Sequence, residues 1–149
     1  MAGLHQILAF APWRKMASGN PGFLGNIEEQ TIHNTDYRKV LFTSEHSQLV
    51  VMSLKPGDDI GEEVHGLDQF FRFEKGRGEI VMGGFSSEVS DGDSIVVPSG
   101  VKHNITNISK TEDLKLYSIY SPPNHQKDVV HKTKADAIEE HFDGKTDVK

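Results

Sequence analysis

Between residues 39 and 120 seven short apolar runs, KVLFT, QLVVMSL, QFFRF, EIVMG, SIVVP, HNITNI and LKLYSIY, alternate with turn-forming clusters that include KPGDD, EKGRG, SDGD and PSG. Runs of this length, rich in Val, Ile, Phe and Tyr and broken roughly every 8 to 12 residues, predict an all-β fold, an antiparallel sandwich or barrel. Helical spacing is confined to the tail. Thr133 followed by Asp136 resembles a capping box, Ala135, Ile138 and Phe142 recur on one face, and Asp143 with Gly144 supplies the stop. A short C-terminal helix is therefore expected from about residue 133, lying against the outside of the sheet. The cluster SGNPG, Ser18 to Gly22, reads as a turn. It divides the chain into an N-terminal extension, residues 1–22, and one domain, residues 23–149.

Composition narrows the function more than the fold. A formal charge of −6 over 149 residues gives no basic footprint for nucleic acid or an anionic membrane, so neither is expected as a partner. The absence of cysteine excludes disulfides, a thiolate nucleophile and thiolate metal ligands, which leaves His, Asp, Glu and amide oxygen as donors. No run approaches the ~20 apolar residues needed to span a bilayer. The N-terminus MAGLHQILAFAPWRKMASGNPGF places its apolar patch before its charges, the wrong order for a secretory signal, and a cytoplasmic location is expected. The lack of any acidic residue before Glu28 leaves organelle import as the alternative. His5, His33, His46, His125, His131 and His141 fall in the extension, loops or tail, where a histidine is usually a surface residue.

Two stretches carry candidate chemistry. The first runs from Gly57 through Glu63, His65 and Gln69 to Gly76; the second runs from Gly92 through Pro98, Gly100 and His103 to Asn107. Side chains two apart on a strand share a face, so Glu63, His65 and Gln69 would point the same way, with Leu67, Phe71 and Phe73 continuing that wall. PSGVKH delivers His103 at the start of a strand, with Ile105 and Asn107 on its side. Asp68 has the opposite parity and is set aside as a ligand. Glu74 and Arg77 flank the hairpin EKGRG and read as solvated turn residues, while Tyr117 and Tyr120 sit on a strand that is apolar on both faces, which leaves their direction open. Two imidazoles, a carboxylate and an amide oxygen suit one divalent transition metal ion (Fe, Mn, Ni, Zn or Co), with room left for substrate.

The pair of stretches resembles the two signature motifs of the cupin superfamily, G-x5-H-x-H-x3/4-E-x6-G and G-x5-P-x-G-x2-H-x3-N. The second is complete in Gly92, Pro98, Gly100, His103 and Asn107; the first keeps Gly57, His65 and Gly76 but has Glu63 where a histidine is usual and Gln69 where the glutamate is usual. The 15-residue spacer, Arg77 to Asp91, is at the short end for the superfamily. GEEVHGLDQFFRFEKGRGEI, PSGVKHN and LKLYSIYSPPNH are similar to small single-domain cupins often labelled mannose-6-phosphate isomerase-like. The resemblance implies a cupin-type jelly-roll barrel and a metal held by Glu63, His65, Gln69 and His103. The two departures compensate, since the carboxylate lost at position 69 reappears at position 63.

No Lys or Arg shares the parity of the pocket residues Leu67, Phe71, Phe73, Ile105 and Asn107, which argues against a phosphosugar unless Arg72, Lys102 or a residue from elsewhere reaches in. The expected ligand is a small neutral or carbonyl-bearing molecule, handled by isomerase, lyase or dioxygenase chemistry with Glu63 as candidate base. The alternative is a module that binds or senses such a molecule without turnover. Apolar side chains on the outer sheet face favour a homodimer.

Overall fold

The computed structural model describes residues 19–137. The elements are α1 (Ile27–His33), β1 (Arg38–Thr43), β2 (Gln48–Leu54), β3 (Asp68–Lys75), β4 (Arg77–Met82), β5 (Phe85–Ser90), β6 (Ser94–Val97), β7 (His103–Asn107), β8 (Leu114–Ser121), β9 (Val130–His131) and α2 (Lys134–Ala137). The strands form a six-stranded sheet in the order β6-β3-β8-β2-β1-β9 and a three-stranded sheet in the order β5-β4-β7, with every pairing antiparallel. This is the jelly-roll architecture that the motifs imply.

Register across the larger sheet places inward side chains in rows: Gln48, Tyr120 and Gln69; then Val50, Ser118 and Phe71; then Met52, Leu116 and Phe73. Below the polar first row the interior is mainly apolar, with Ser118 and Arg38 as exceptions, and Val50, Phe71, Phe73, Leu116 and Ile105 have no exposed surface. The polar groups of the first row are all hydrogen-bonded. Gln48 uses its whole amide there: Nε2 donates to Thr43 Oγ1 and the His125 carbonyl, while Oε1 accepts from the amides of Asn124 and His125.

All seven apolar runs lie on strands. EKGRG is narrower as a break than expected, because β3 and β4 leave only Gly76 between them. Gly76 has φ 96°, and a Cβ there would stand 2.6 Å from the Asp113 carbonyl oxygen, so no other residue closes this hairpin without shifting backbone. The bulge between Phe73 and Lys75 corrects the expectation for Glu74. Its side chain is buried rather than solvated, paired with Arg72 at 2.8 Å, and burial holds its carboxyl above the usual range against the pull of Arg72.

A helix absent from the sequence expectation is α1. Asn26 caps it by accepting from the Glu29 amide at 3.0 Å, and Thr31 turns its hydroxyl back to the Ile27 carbonyl at 2.7 Å. It packs outside β2, β3 and β8, where buried Lys115 donates to the Asn34 carbonyl at 2.5 Å and to Ser53 Oγ at 2.9 Å. In the tail, half of the expected capping box forms: Asp136 Oδ2 accepts from Thr133 N, while Asp136 N donates to the Thr133 backbone carbonyl; Ile138, Phe142 and the Asp143–Gly144 stop lie outside the described residues, as does the extension through residue 18. No helix among the described residues is long and apolar enough to cross a membrane.

Candidate metal centre

The segment after Gly57 runs antiparallel to β7 without forming a regular strand. Gly57 N donates to Asn107 O, Ile60 N to Ile105 O, and Glu63 and His103 exchange both backbone bonds at 2.9 and 3.0 Å. Between the Asp59–Thr106 and Glu63–His103 pairs the segment gains one residue on its partner, and Gly61, with φ 96°, occupies that bulge. Asn104 holds the bulge from the outer side of β7: its Oδ1 accepts from Gly61 N at 3.0 Å and its Nδ2 donates to Asp59 Oδ2 at 3.0 Å. Lys134 of α2 pairs with the other oxygen of Asp59, and this bond first, then that from Asn104, keeps the Asp59 carboxyl below its usual range.

Beyond the bulge, alternation is unbroken. His65, Leu67, Gln69, Phe71 and Phe73 are buried, whereas Glu62, Val64, Gly66 and Asp68 are exposed, although β3 begins only at residue 68. The face expected from sequence is therefore the face that forms. One ligand atom from each of Glu63, His65 and His103 lies within 4.8 Å of the others, a group that could hold a metal ion. His65 Nε2 is 2.9 Å and His103 Nε2 3.9 Å from Glu63 Oε2, and Gln69 Oε1 is 3.2 Å from His103 Nε2.

Hydrogen bonding tests whether these donors fit a cation. His103 Nδ1 lies 3.0 Å from the Val101 carbonyl oxygen, which can only accept, so Nδ1 carries a proton and Nε2 faces inward. Gln69 Nε2 donates to Ser118 Oγ at 2.9 Å, which turns its Oε1 toward His103 Nε2. The two atoms then face each other at 3.2 Å with a carboxylate oxygen beside them. A proton or a metal ion satisfies this arrangement; the donor set fits either.

Phe71 forms the floor, its ring centroid 6.0 Å from that of His103, with Leu67, Phe73 and Ile105 in the core around it. Asn107, expected in the pocket, is not part of it. Its Nδ2 donates to the carbonyls of Leu54 and Glu112 and its Oδ1 accepts from Ser109 N, at the opposite end of β7 from His103. Asp68 accepts from the Ser99 amide outside the site. Neither cation considered from sequence reaches in: Arg72 pairs with Glu74, and Lys102 is exposed beside Glu62.

Further buried groups complete the interior. Tyr120 points inward, edge-on to His65 with ring centroids 5.9 Å apart, and its hydroxyl is 3.2 Å from His125 Nε2; Tyr117 points outward against Phe70. Burial, reinforced by the Glu63 carboxylate, raises the Tyr120 hydroxyl. Tyr37, 3.4 Å from the carbonyls of Asp59 and Ile60, is pushed up to about 12 by burial, with Arg38 opposing and Glu63 adding to the shift. His125 and His131 are buried, contrary to the surface positions expected for them, whereas His33 and His46 are exposed; His5 and His141 lie outside the described residues. Arg38 stands at the edge of the first apolar run, where only its shared parity with Val40 signals that it faces inward.

A model of the cupin domain matches residues 50–120, which span both motifs and all four site residues. The uncharacterized Bacillus subtilis (strain 168) protein YrkC is 47% identical over 127 residues, covering 80% of this chain and 68% of its own length. The uncharacterized protein L612 of Acanthamoeba polyphaga mimivirus is 44% identical over 115 residues, covering 74% of this chain and 71% of its own length. The crystal structure of BH2720 from Bacillus halodurans superposes with a TM-score of 0.78 at 44% identity, covering 83% of this chain and 97% of that one. Motif spacing, jelly-roll topology and these relatives agree, and the chain belongs to the cupin superfamily.

Proposed function

We propose that this cupin binds one divalent transition metal ion through Glu63, His65, Gln69 and His103, and that the loaded site acts on a small carbonyl-bearing molecule. The observation that carries the proposal is the convergence of ligand atoms from Glu63, His65 and His103 within 4.8 Å of one another, with Gln69 Oε1 3.2 Å from His103 Nε2. When bound, the ion would supply Lewis-acid or redox chemistry to an oxygen-bearing ligand. The chain's own contribution is orientation and exclusion of water: Val101 fixes the ring of His103, Ser118 fixes the amide of Gln69, and Phe71 closes the floor. Among the described residues Glu63, 24% exposed at its side chain, is the carboxylate placed beside both site histidines to hold a proton taken from a ligand carbon, which supports isomerase or lyase chemistry.

The test is metal content. Protein produced with supplemented metal is expected to hold close to one divalent ion per chain by elemental analysis, and His103→Ala to lose it. Metal-free protein under those conditions would sink the proposal. A second reading, a binding module without turnover, is favoured by the contact between His65 Nε2 and Glu63 Oε2 at 2.9 Å, which is a complete hydrogen bond without an ion when His65 carries the proton. That reading predicts that His103→Ala leaves small-molecule affinity unchanged.

A further inference from the structure

Arg38 opens β1 opposite Met52 of β2 and His131 of β9, with the inward parity of Val40. Only 4% of its surface is exposed. The guanidinium carbon stands 5.3 Å from the centroid of the Tyr37 ring, a cation–π contact. Among the described residues no carboxylate forms an ion pair with Arg38 within 4.0 Å, and its buried Nε has no hydrogen-bond partner. The other buried cation, Lys115, contrasts with it: that ammonium has the Asn34 carbonyl, Ser53 Oγ and Asp113 around it.

An unpaired charge in a barrel interior is strongly disfavoured, and one aromatic face offsets only part of that cost. The surroundings join Arg38 to the metal centre. Its charge acts on both Tyr120 and His125. Tyr120 in turn lies against His65, and Tyr37 feels Arg38 and Glu63 together.

We propose that Arg38 is an anion subsite inside the barrel, and that the small molecule taken by this chain carries a carboxylate that pairs with its guanidinium. The proposal rests on the small-molecule function above for its setting and names the ligand class. One planar guanidinium matches one carboxylate in charge and in geometry. A phosphate dianion would bring one charge more than the single guanidinium balances. The neutral ligand expected from sequence is thereby replaced by a carboxylate, and a carbonyl in the same molecule remains compatible with an ion held at Glu63 and His65.

The experiment measures binding of acetate, pyruvate and 2-oxoglutarate, with methyl pyruvate as uncharged control and inorganic phosphate as competing anion, by titration calorimetry and thermal shift. Wild-type protein is compared before and after chelator treatment, alongside Arg38→Met and Arg38→Lys. At least one carboxylate is expected to bind wild-type protein about tenfold or more tightly than methyl pyruvate binds. That preference should disappear in Arg38→Met and persist, weakened, in Arg38→Lys. Met removes an uncompensated buried charge while keeping the volume, so the variant is expected to melt no lower than wild type in ligand-free buffer. Chelation should lower absolute affinity while the preference for the carboxylate survives, which separates the subsite from the metal centre. No carboxylate preference in wild type, an undiminished preference in Arg38→Met, or tighter binding of phosphate would overturn the proposal.

Discussion

Burial keeps His125 neutral to about pH 2, well below its ordinary value of 6.5, and the charge of Arg38 adds to the effect. A base whose pKa is depressed on folding takes up its proton more readily when unfolded. Its contribution to stability is therefore intact above 6.5 and is lost progressively as pH falls from there toward the folded value. The expected slope is up to ~1.4 kcal/mol per pH unit. Chemical denaturation at pH 7, 5.5 and 4.5 should show wild type losing stability more steeply than His125→Gln; parallel curves would show that His125 is not held neutral. Single residues were also where the sequence was least legible. Glu63, His65, Gln69 and His103 announced themselves by spacing, because parity carries a side chain to a face without knowledge of what lies opposite. His125 and Arg38 gave no such signal: Arg38 is covered where β1 pairs with β9 and His125 is held by Gln48, partners that are distant in sequence.

Among the elements, the irregular segment from Gly57 to His65 carries two of the proposed ligands just beyond a bulge held from outside by Asn104. Asn104→Ala removes the acceptor for Gly61 N and a donor to Asp59. It is expected to cost about 1–2 kcal/mol of stability, and about tenfold in metal affinity, since groups that orient ligands are tuned nearly as closely as the ligands themselves. Urea denaturation and competitive metal titration read the two effects, and unchanged metal affinity would show that the segment keeps its place without this clamp. Legibility at this scale followed hydrophobicity. The seven apolar runs were readable as strands, but FSSEVS of β5 is too rich in serine to register and takes its conformation from pairing with β4. The helix α1 was missed although Asn26 and Glu29 stand at capping-box spacing, because IEEQTIH has less than two turns of apolar pattern and is stabilised by packing against the sheet.

For the molecule as a whole, the site ties the smaller sheet to the larger. His103 comes from β7, and Glu63 and His65 from the segment paired with it, whereas Gln69 comes from β3 of the six-stranded sheet. A metal ion held by all four joins the mouth of the barrel across both sheets. At free metal a hundredfold above Kd, the stabilisation is about 2.7 kcal/mol, or roughly 8 °C in Tm for a chain of this size. Differential scanning calorimetry with and without chelator checks this, and coincident transitions would refute a bridging ion. The fold class and both motifs were legible because they depend on local spacing; closure of the barrel over Arg38 was not, because it depends on long-range pairing between β1 and β9. The unbroken alternation from Glu63 to Phe73 also makes the chain sensitive to length more than to identity. Deleting Gly66, with β3 kept in register against β8 and β6, would turn Glu63 and His65 outward together and bring Glu62 and Val64 inward in their place. Removing Gly66 and Leu67 together restores the parity, so among insertions and deletions in this loop only those of an even number of residues can preserve the centre.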